Sequence, residues 1–119
     1  MEERVQMMVN PNNQSIQKIN QFRDDRNWRQ FHNEKDLALS ISLEAAELLE
    51  IYQWKTAEEG NQALEHIKEE LADVLIYAYM LADNLQLDID QIISEKIVKN
   101  ALKYPINKSK DSRQKYSDL

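Results

Sequence analysis

Between Asn12 and Tyr104 the chain contains no proline and only one glycine, Gly60. Ala, Leu, Glu, Gln, Lys and Met fill most of that run, and these residues lose least on entering a helix. The alternating apolar pattern of strands is missing, as are the Asn-Gly and Asp-Gly turns of hairpins. The spacing therefore predicts an all-α chain with helices over about 15–26, 35–54, 61–84 and 89–102. Ile16, Ile19 and Phe22 stripe the first helix, and an irregular stretch at 27–33 follows it with Trp28, Phe31 and His32. Thr56 and Glu59 form a capping-box pattern beside Gly60, and Asp88 with Gln91 forms another. Pro105 stops the last helix, because the residue before a proline disfavours helical backbone. A chain of 119 residues has the length of one domain, expected over 1–119.

The absence of cysteine excludes disulfides, thiolate metal sites and cysteine nucleophiles, and fits a reducing compartment. The opening MEERVQMMVN has acids where a secretion signal needs bases. The longest apolar run, Val74 to Ala82, is far short of the roughly 20 residues that span a bilayer. A cytoplasmic protein without membrane contact is expected. Net charge is −6, unevenly spread: residues 1–95 carry 19 acids against 8 bases, and residues 96–119 carry 2 acids against 7 bases. An acidic body argues against DNA or RNA as a partner. The basic tail, 106–119, reads as a mobile or partner-docked end.

The second helix is apolar nearly all round, from Leu37 through Ile51, which predicts burial on most sides. Into it the sequence sets Glu44 and Glu47, three apart and so on one face. The third helix repeats the device with Glu70 and Asp73, on the face that also carries Tyr77 and Met80. In a chain with 21 acids such pairs arise by chance, so their placement in the most apolar segments carries the weight. Two readings stay open: the acids look into water or pair across chains, or they hold a cation. Buried unpaired carboxylates are costly, and a hard divalent ion removes that cost. If a metal binds, an all-oxygen donor set selects Mg²⁺ or Mn²⁺. His32 and His66 do not complete the Glu-x-x-His pattern of di-iron bundles.

Glu44-x-x-Glu47 followed by Glu70-x-x-Asp73 resembles the metal-binding signature of the MazG-like, all-α nucleoside triphosphate pyrophosphohydrolases, closest to their dCTP pyrophosphatase branch. The same order of segments continues the resemblance: Trp28-Arg29-Gln30-Phe31-His32, Tyr52-Gln53-Trp54-Lys55, Lys96 to Asn100, Tyr104-Pro105, and Ser112-Arg113-Gln114-Lys115-Tyr116. The resemblance spans about Phe22 to Tyr116 and implies a four-helix bundle-type fold completed by oligomerisation, as a homodimer or homotetramer. It implies hydrolysis of a nucleoside triphosphate, dCTP or a modified dCTP, to the monophosphate and pyrophosphate. By the same resemblance, Mg²⁺ sits on Glu44, Glu47, Glu70 and Asp73. Trp28, Arg29, Gln30, Phe31, His32, Trp54 and Tyr77 match nucleoside contacts, and Lys96, Asn100 and Tyr104 match positions near the phosphates. Some relatives carry a histidine on the first helix where this chain has Ile19.

The residues agree in kind. Trp28, Phe31 and Trp54 offer faces on which a base can stack, and Lys96, Lys99 and Lys103 supply cations in an acidic body. Glu47 is the expected proton acceptor from the attacking water, with Glu50 beside it as the other choice. The competing reading is a non-catalytic helical dimerisation module whose acids form a solvated rim. A carboxylate-bridged redox bundle comes third.

Overall fold

The computed structural model describes residues 11–119, with side chains from Gln14 onward. The opening MEERVQMMVN stretch, and with it the start of the expected 1–119 domain, lies outside the described residues. The described chain is all-α, as expected, and no strand occurs among the described residues. It divides into two compact units at Gln86–Leu87.

In the first unit, α1 spans Pro11–Asp25, α2 Glu34–Tyr52, α3 Ala57–Asn61 and α4 Leu64–Asn84. α1 ends because Asn27 takes a left-handed conformation, φ 54°, which asparagine tolerates better than most residues. The Asn27 amide then donates to the Asp24 carbonyl (3.1 Å) and the Trp28 amide to the Arg23 carbonyl (2.8 Å), a Schellman closure. Its apolar clasp is the Trp28 ring meeting Phe22 edge-on at 5.6 Å. A 3₁₀ turn at Arg29–Phe31 leads on to Asn33, whose side chain caps α2 by accepting from the Asp36 amide at 2.9 Å.

The Thr56–Glu59 capping box is present, but it opens a separate five-residue helix, so the segment expected at 61–84 begins as a helix only at Leu64. The turn is tight because Gly60 is buried against the ring of Tyr52, where a Cβ would collide. The Tyr52 hydroxyl donates to Asn61 Oδ1 at 2.7 Å and fixes the pair. α2 packs along α4 and α1 crosses α4, with Leu37, Ile51, Met80 and Ala82 at the centre. α2 is not buried on most sides: Leu39, Leu43 and Leu49 are each more than half exposed. Two neighbouring helices can cover only part of a helix circumference, so its outer apolar face stays open within one chain.

The second unit runs Leu87–Leu119. α5, Ile89–Lys103, is capped by Asp88 accepting from the Gln91 amide at 3.0 Å, and it ends at Tyr104 before Pro105. One further helical turn, α6 at Ile106–Ser109, and a 3₁₀ turn at Tyr116–Asp118 follow. The basic tail thus carries a short helical turn near each end. Tyr116 meets the Tyr104 ring edge-on at 6.0 Å, and Lys103 lies 4.9 Å over the Tyr116 face.

Candidate functional site

Glu44 and Glu47 on α2 and Glu70 on α4 offer carboxylate oxygens that all lie within 4.8 Å of one another. The i, i+3 spacing puts the first two on one face, and packing of α2 along α4 brings the third to them. Glu44 Oε2 and Glu70 Oε2 are buried with no hydrogen-bond donor. Glu47, by contrast, is exposed. Burial, followed by the adjoining carboxylates of Glu47, Glu70 and Asp73, pushes the Glu44 carboxyl up to about 7. The His66 imidazole, one turn before Glu70, stands 3.3 Å from Glu70 Oε1 and is itself largely exposed. An all-oxygen group of like charges with orphaned lone pairs has the donor chemistry a hard divalent cation requires.

Asp73 stands outside the three-carboxylate group and lines an adjacent cleft. The cleft measures about 420 Å³, in the range of small-molecule sites. Lys18, Ile19 and Phe22 of α1 form one wall, Trp28 and His32 an end, and Asp73, Ile76, Tyr77 and Met80 of α4 the other wall. The Tyr77 hydroxyl is held above its usual range by burial and then by the charges of Glu44 and Asp73, so cleft and carboxylates share one electrostatic neighbourhood. Burial, reinforced by Arg23 and Arg29, lowers the His32 imidazole pKa. It is therefore neutral at pH 7, and its Nδ1 is buried without a partner.

The structure brings Trp28, His32, Asp73 and Tyr77 together, and places Glu44, Glu47 and Glu70 beside one another. Other expected positions fall elsewhere. The Arg29 guanidinium donates to Asp24 and Asp83, and the Gln30 amide donates to the Asn27 carbonyl at 2.8 Å, so both side chains stabilise their own turn. Phe31 is 64% and Trp54 93% exposed. Trp54 also holds φ at 63°, a left-handed conformation strained for a bulky residue. Lys96 and Asn100 lie four apart on α5, with Tyr104 at its C-terminal cap, in the second unit.

Sequence reasoning did not single out Lys18, Ile76 or the buried Arg23 as part of this region. The α4 wall was readable, since Asp73, Ile76, Tyr77 and Met80 recur at helical spacing. The α1 wall needed the angle at which α1 crosses α4, which no local pattern encodes. Among the described residues, no helix is long and apolar enough to cross a membrane.

Residues 39–119 match the MazG-like family. The dCTP pyrophosphatase 1 of Rattus norvegicus is 39% identical over 105 residues, which cover 83% of this chain and 62% of that protein. The human protein of the same name is 36% identical over the same shares. The chain thus spans less than two thirds of the length of these curated relatives. A pyrophosphatase from Archaeoglobus fulgidus, known by crystal structure, superposes with a TM-score of 0.71 at 40% identity, covering 75% of this chain and 87% of its own. On its matched residues and its all-helical architecture, the chain belongs to the MazG-like family.

Proposed function

We propose that this chain is a metal-dependent nucleoside triphosphate pyrophosphohydrolase that splits a deoxynucleoside triphosphate, dCTP or a modified dCTP, into the monophosphate and pyrophosphate. The observation that carries this reading is the pair of orphaned, buried oxygens on Glu44 and Glu70, set in a three-carboxylate group beside a cleft walled with aromatic side chains. The names of the dCTP pyrophosphatase relatives and of the archaeal pyrophosphatase support the same chemistry.

Glu44, Glu47 and Glu70, with Asp73 at their edge, would hold Mg²⁺, with Mn²⁺ as a substitute. Bound there, the ion supplies charge neutralisation for phosphate oxygens and a lowered pKa for water. The protein's own residues do the rest. Trp28 and Phe22 enclose the base by stacking. Neutral His32 exchanges a hydrogen bond with it through Nδ1. Tyr77 donates its hydroxyl proton to the sugar–phosphate at the junction of cleft and carboxylates. Lys96, Asn100 and Tyr104 are assigned to the phosphates on resemblance alone. Glu47, the most accessible of the three carboxylates, accepts the proton of the attacking water at a carboxylate oxygen. The open leucines of α2 and the strained, bare Trp54 fit a homodimer or homotetramer in which a second copy covers them. With a net charge of −6, the protein is assigned to free nucleotides in the cytoplasm rather than to DNA, RNA or a membrane surface.

The deciding experiment incubates the protein with each dNTP and NTP, with Mg²⁺ or with EDTA, and resolves pyrophosphate from orthophosphate. Pyrophosphate from dCTP, only with Mg²⁺, is expected. Orthophosphate alone, or no product from any nucleotide, overturns the reading. In Glu47→Gln, turnover is expected to fall more than a hundredfold while nucleotide binding persists. Near-wild-type turnover would remove the proton from Glu47's charge.

A further inference from the structure

Arg23 is a charged side chain with no exposed surface at all, on the face of α1 opposite solvent. Each nitrogen of its guanidinium has a partner: Nε donates to Asn20 Oδ1 (3.1 Å), Nη1 to Asn84 Oδ1 (3.2 Å) and Nη2 to Asp83 Oδ2 (2.8 Å). Asp83 and Asn84 are the last two residues of α4, so this one side chain ties α1 to the end of the helix that carries Asp73 and Tyr77. The ties continue into the turn that holds Trp28 and His32. The Arg23 carbonyl accepts the Trp28 amide at 2.8 Å, and the Asn84 side-chain amide donates to the His32 carbonyl at 2.6 Å. Asp83 Oδ2 also accepts from Arg29 Nη1 at 3.1 Å, in the middle of the same turn. Beside the backbone closure at its start and the local Arg29–Asp24 and Gln30–Asn27 bonds, the turn is tied to α4 at its middle and end through Asp83 and Asn84, the two residues the Arg23 side chain holds there.

We propose that Arg23, acting through Asp83 and Asn84, is the positioning residue for the cleft's recognition turn, fixing Trp28 and His32 at the distance from α4 that a nucleobase requires. This rests on the pyrophosphohydrolase reading for the identity of the ligand, though not for the existence of the clamp. None of the three residues reaches the carboxylate group, so the clamp acts on binding of the base and leaves the hydrolytic centre alone. A guanidinium is suited to the task, because its rigid fork reaches Asp83 and Asn84 at once and fixes direction as well as distance.

The test compares Asn84→Ala, which frees the His32 carbonyl and keeps the Arg23–Asp83 pair, with Arg23→Lys, which keeps the charge without the fork. The full chain is used, and circular dichroism verifies the fold. KM and kcat for pyrophosphate release, the midpoint of the Mg²⁺ titration, and the ¹⁹F resonances of 5-fluorotryptophan at Trp28 and Trp54 are measured. For Asn84→Ala, KM is expected to rise at least fivefold with kcat within threefold, an unmoved Mg²⁺ midpoint, and a shifted or broadened Trp28 line beside an unchanged Trp54 line. Arg23→Lys is expected to follow the same pattern and confirms it if folded; if it does not fold, Asn84→Ala decides alone. An unchanged KM with a still Trp28 line overturns the proposal. So does a parallel loss in KM, kcat and Mg²⁺ affinity, which marks general loosening. If the wild type releases no pyrophosphate from any nucleotide, the functional reading has failed, and the Trp28 line alone then decides whether the clamp exists.

Discussion

At the C-terminal end of α4, Asp83 receives Arg23 and Arg29, Arg29 reaches on to Asp24, and the buried guanidinium of Arg23 has a partner on each nitrogen. Nearer its N-terminus, Glu70 meets Glu44 and Glu47, three acidic groups together, and two of their buried oxygens have no donor. Both regions set charged groups of a second helix against α4, α1 in the first and α2 in the second, and each carries a desolvation cost. They differ in closure. The first network alternates in sign and is complete within the chain, so it can serve structure alone. Among the described residues the second has only the exposed His66 imidazole against Glu70, so its remaining carboxylates call for a proton or a cation from outside. A self-satisfied network argues for scaffold, and an unsatisfied one argues for a site.

The sharpest way to break this contrast is to remove one partner from each region. Arg23→Ala leaves Asp83 facing Arg29 alone and strands two amide oxygens, and losing one side of a buried pair costs on the order of 3–5 kcal/mol. Urea unfolding is expected to show that loss, and a cost under about 1 kcal/mol would reduce the network to decoration. Glu44→Gln is expected to act in the opposite sense. It replaces a buried carboxyl that has to ionise beside other carboxylates as pH rises towards about 7 with a neutral amide, so near and above pH 7 the metal-free protein gains thermal stability while pyrophosphate release falls at least about a hundredfold, roughly 2.7 kcal/mol of transition-state stabilisation. Loss of both stability and activity would mean that the carboxylates were structural after all.

How far each region could be read from the chain follows from the same difference. Glu44, Glu47 and Glu70 were legible because polar residues interrupted the most apolar segments, and helical spacing alone put Glu44 and Glu47 together. Asp73 belonged to the same pattern, yet it lines the cleft and stands outside the group; which of two residues three apart on α4 joins the α2 pair depends on how the helices pack, not on spacing. The clamp was illegible. Nothing around Arg23 distinguishes it from Arg26 or Arg29, and its burial depends on Asp83, sixty residues away, which becomes a neighbour only when α1 crosses α4. The split between α3 and α4 was half legible. The Thr56–Glu59 box announced a helix start, but the contact of Gly60 with Tyr52 that ends it so soon is a matter of packing.

A finer separation comes from pH. The raised Glu44 carboxyl keeps its proton in the folded chain and loses it in the unfolded one between its ordinary value of 4.5 and about 7. In that window the folded state binds more protons, so its stability is greatest at the acid end and falls as pH rises. His32 works against this, because its lowered pKa makes stability rise with pH up to 6.5. Asp24, whose carboxylate is held below its usual range by Arg29, contributes only under more acidic conditions. Subtracting the Glu44→Gln melting curve from that of wild type cancels His32 and Asp24. The metal-free difference is expected to turn steadily against wild type from pH 5 to 7.5, and saturating Mg²⁺ is expected to remove that slope. A flat difference without metal would place the shared proton elsewhere.

The smallest effect concerns whether pairing or burial sets the stakes. Lys68 meets Glu65 at 3.1 Å one turn away on α4, with both side chains largely exposed, 62% and 85%. The geometry is as good as that of Arg29 with Asp83, also at 3.1 Å, but water competes for both partners. Exposed helical pairs of this kind contribute about 0.3–0.5 kcal/mol. Lys68→Ala is therefore expected to shift the urea midpoint by no more than that, and to leave turnover and Mg²⁺ response as they were. If Lys68→Ala instead cost as much as Arg23→Ala, pairing alone would explain the stability of α4. The burial that separates the closed network from the open site would then carry no weight.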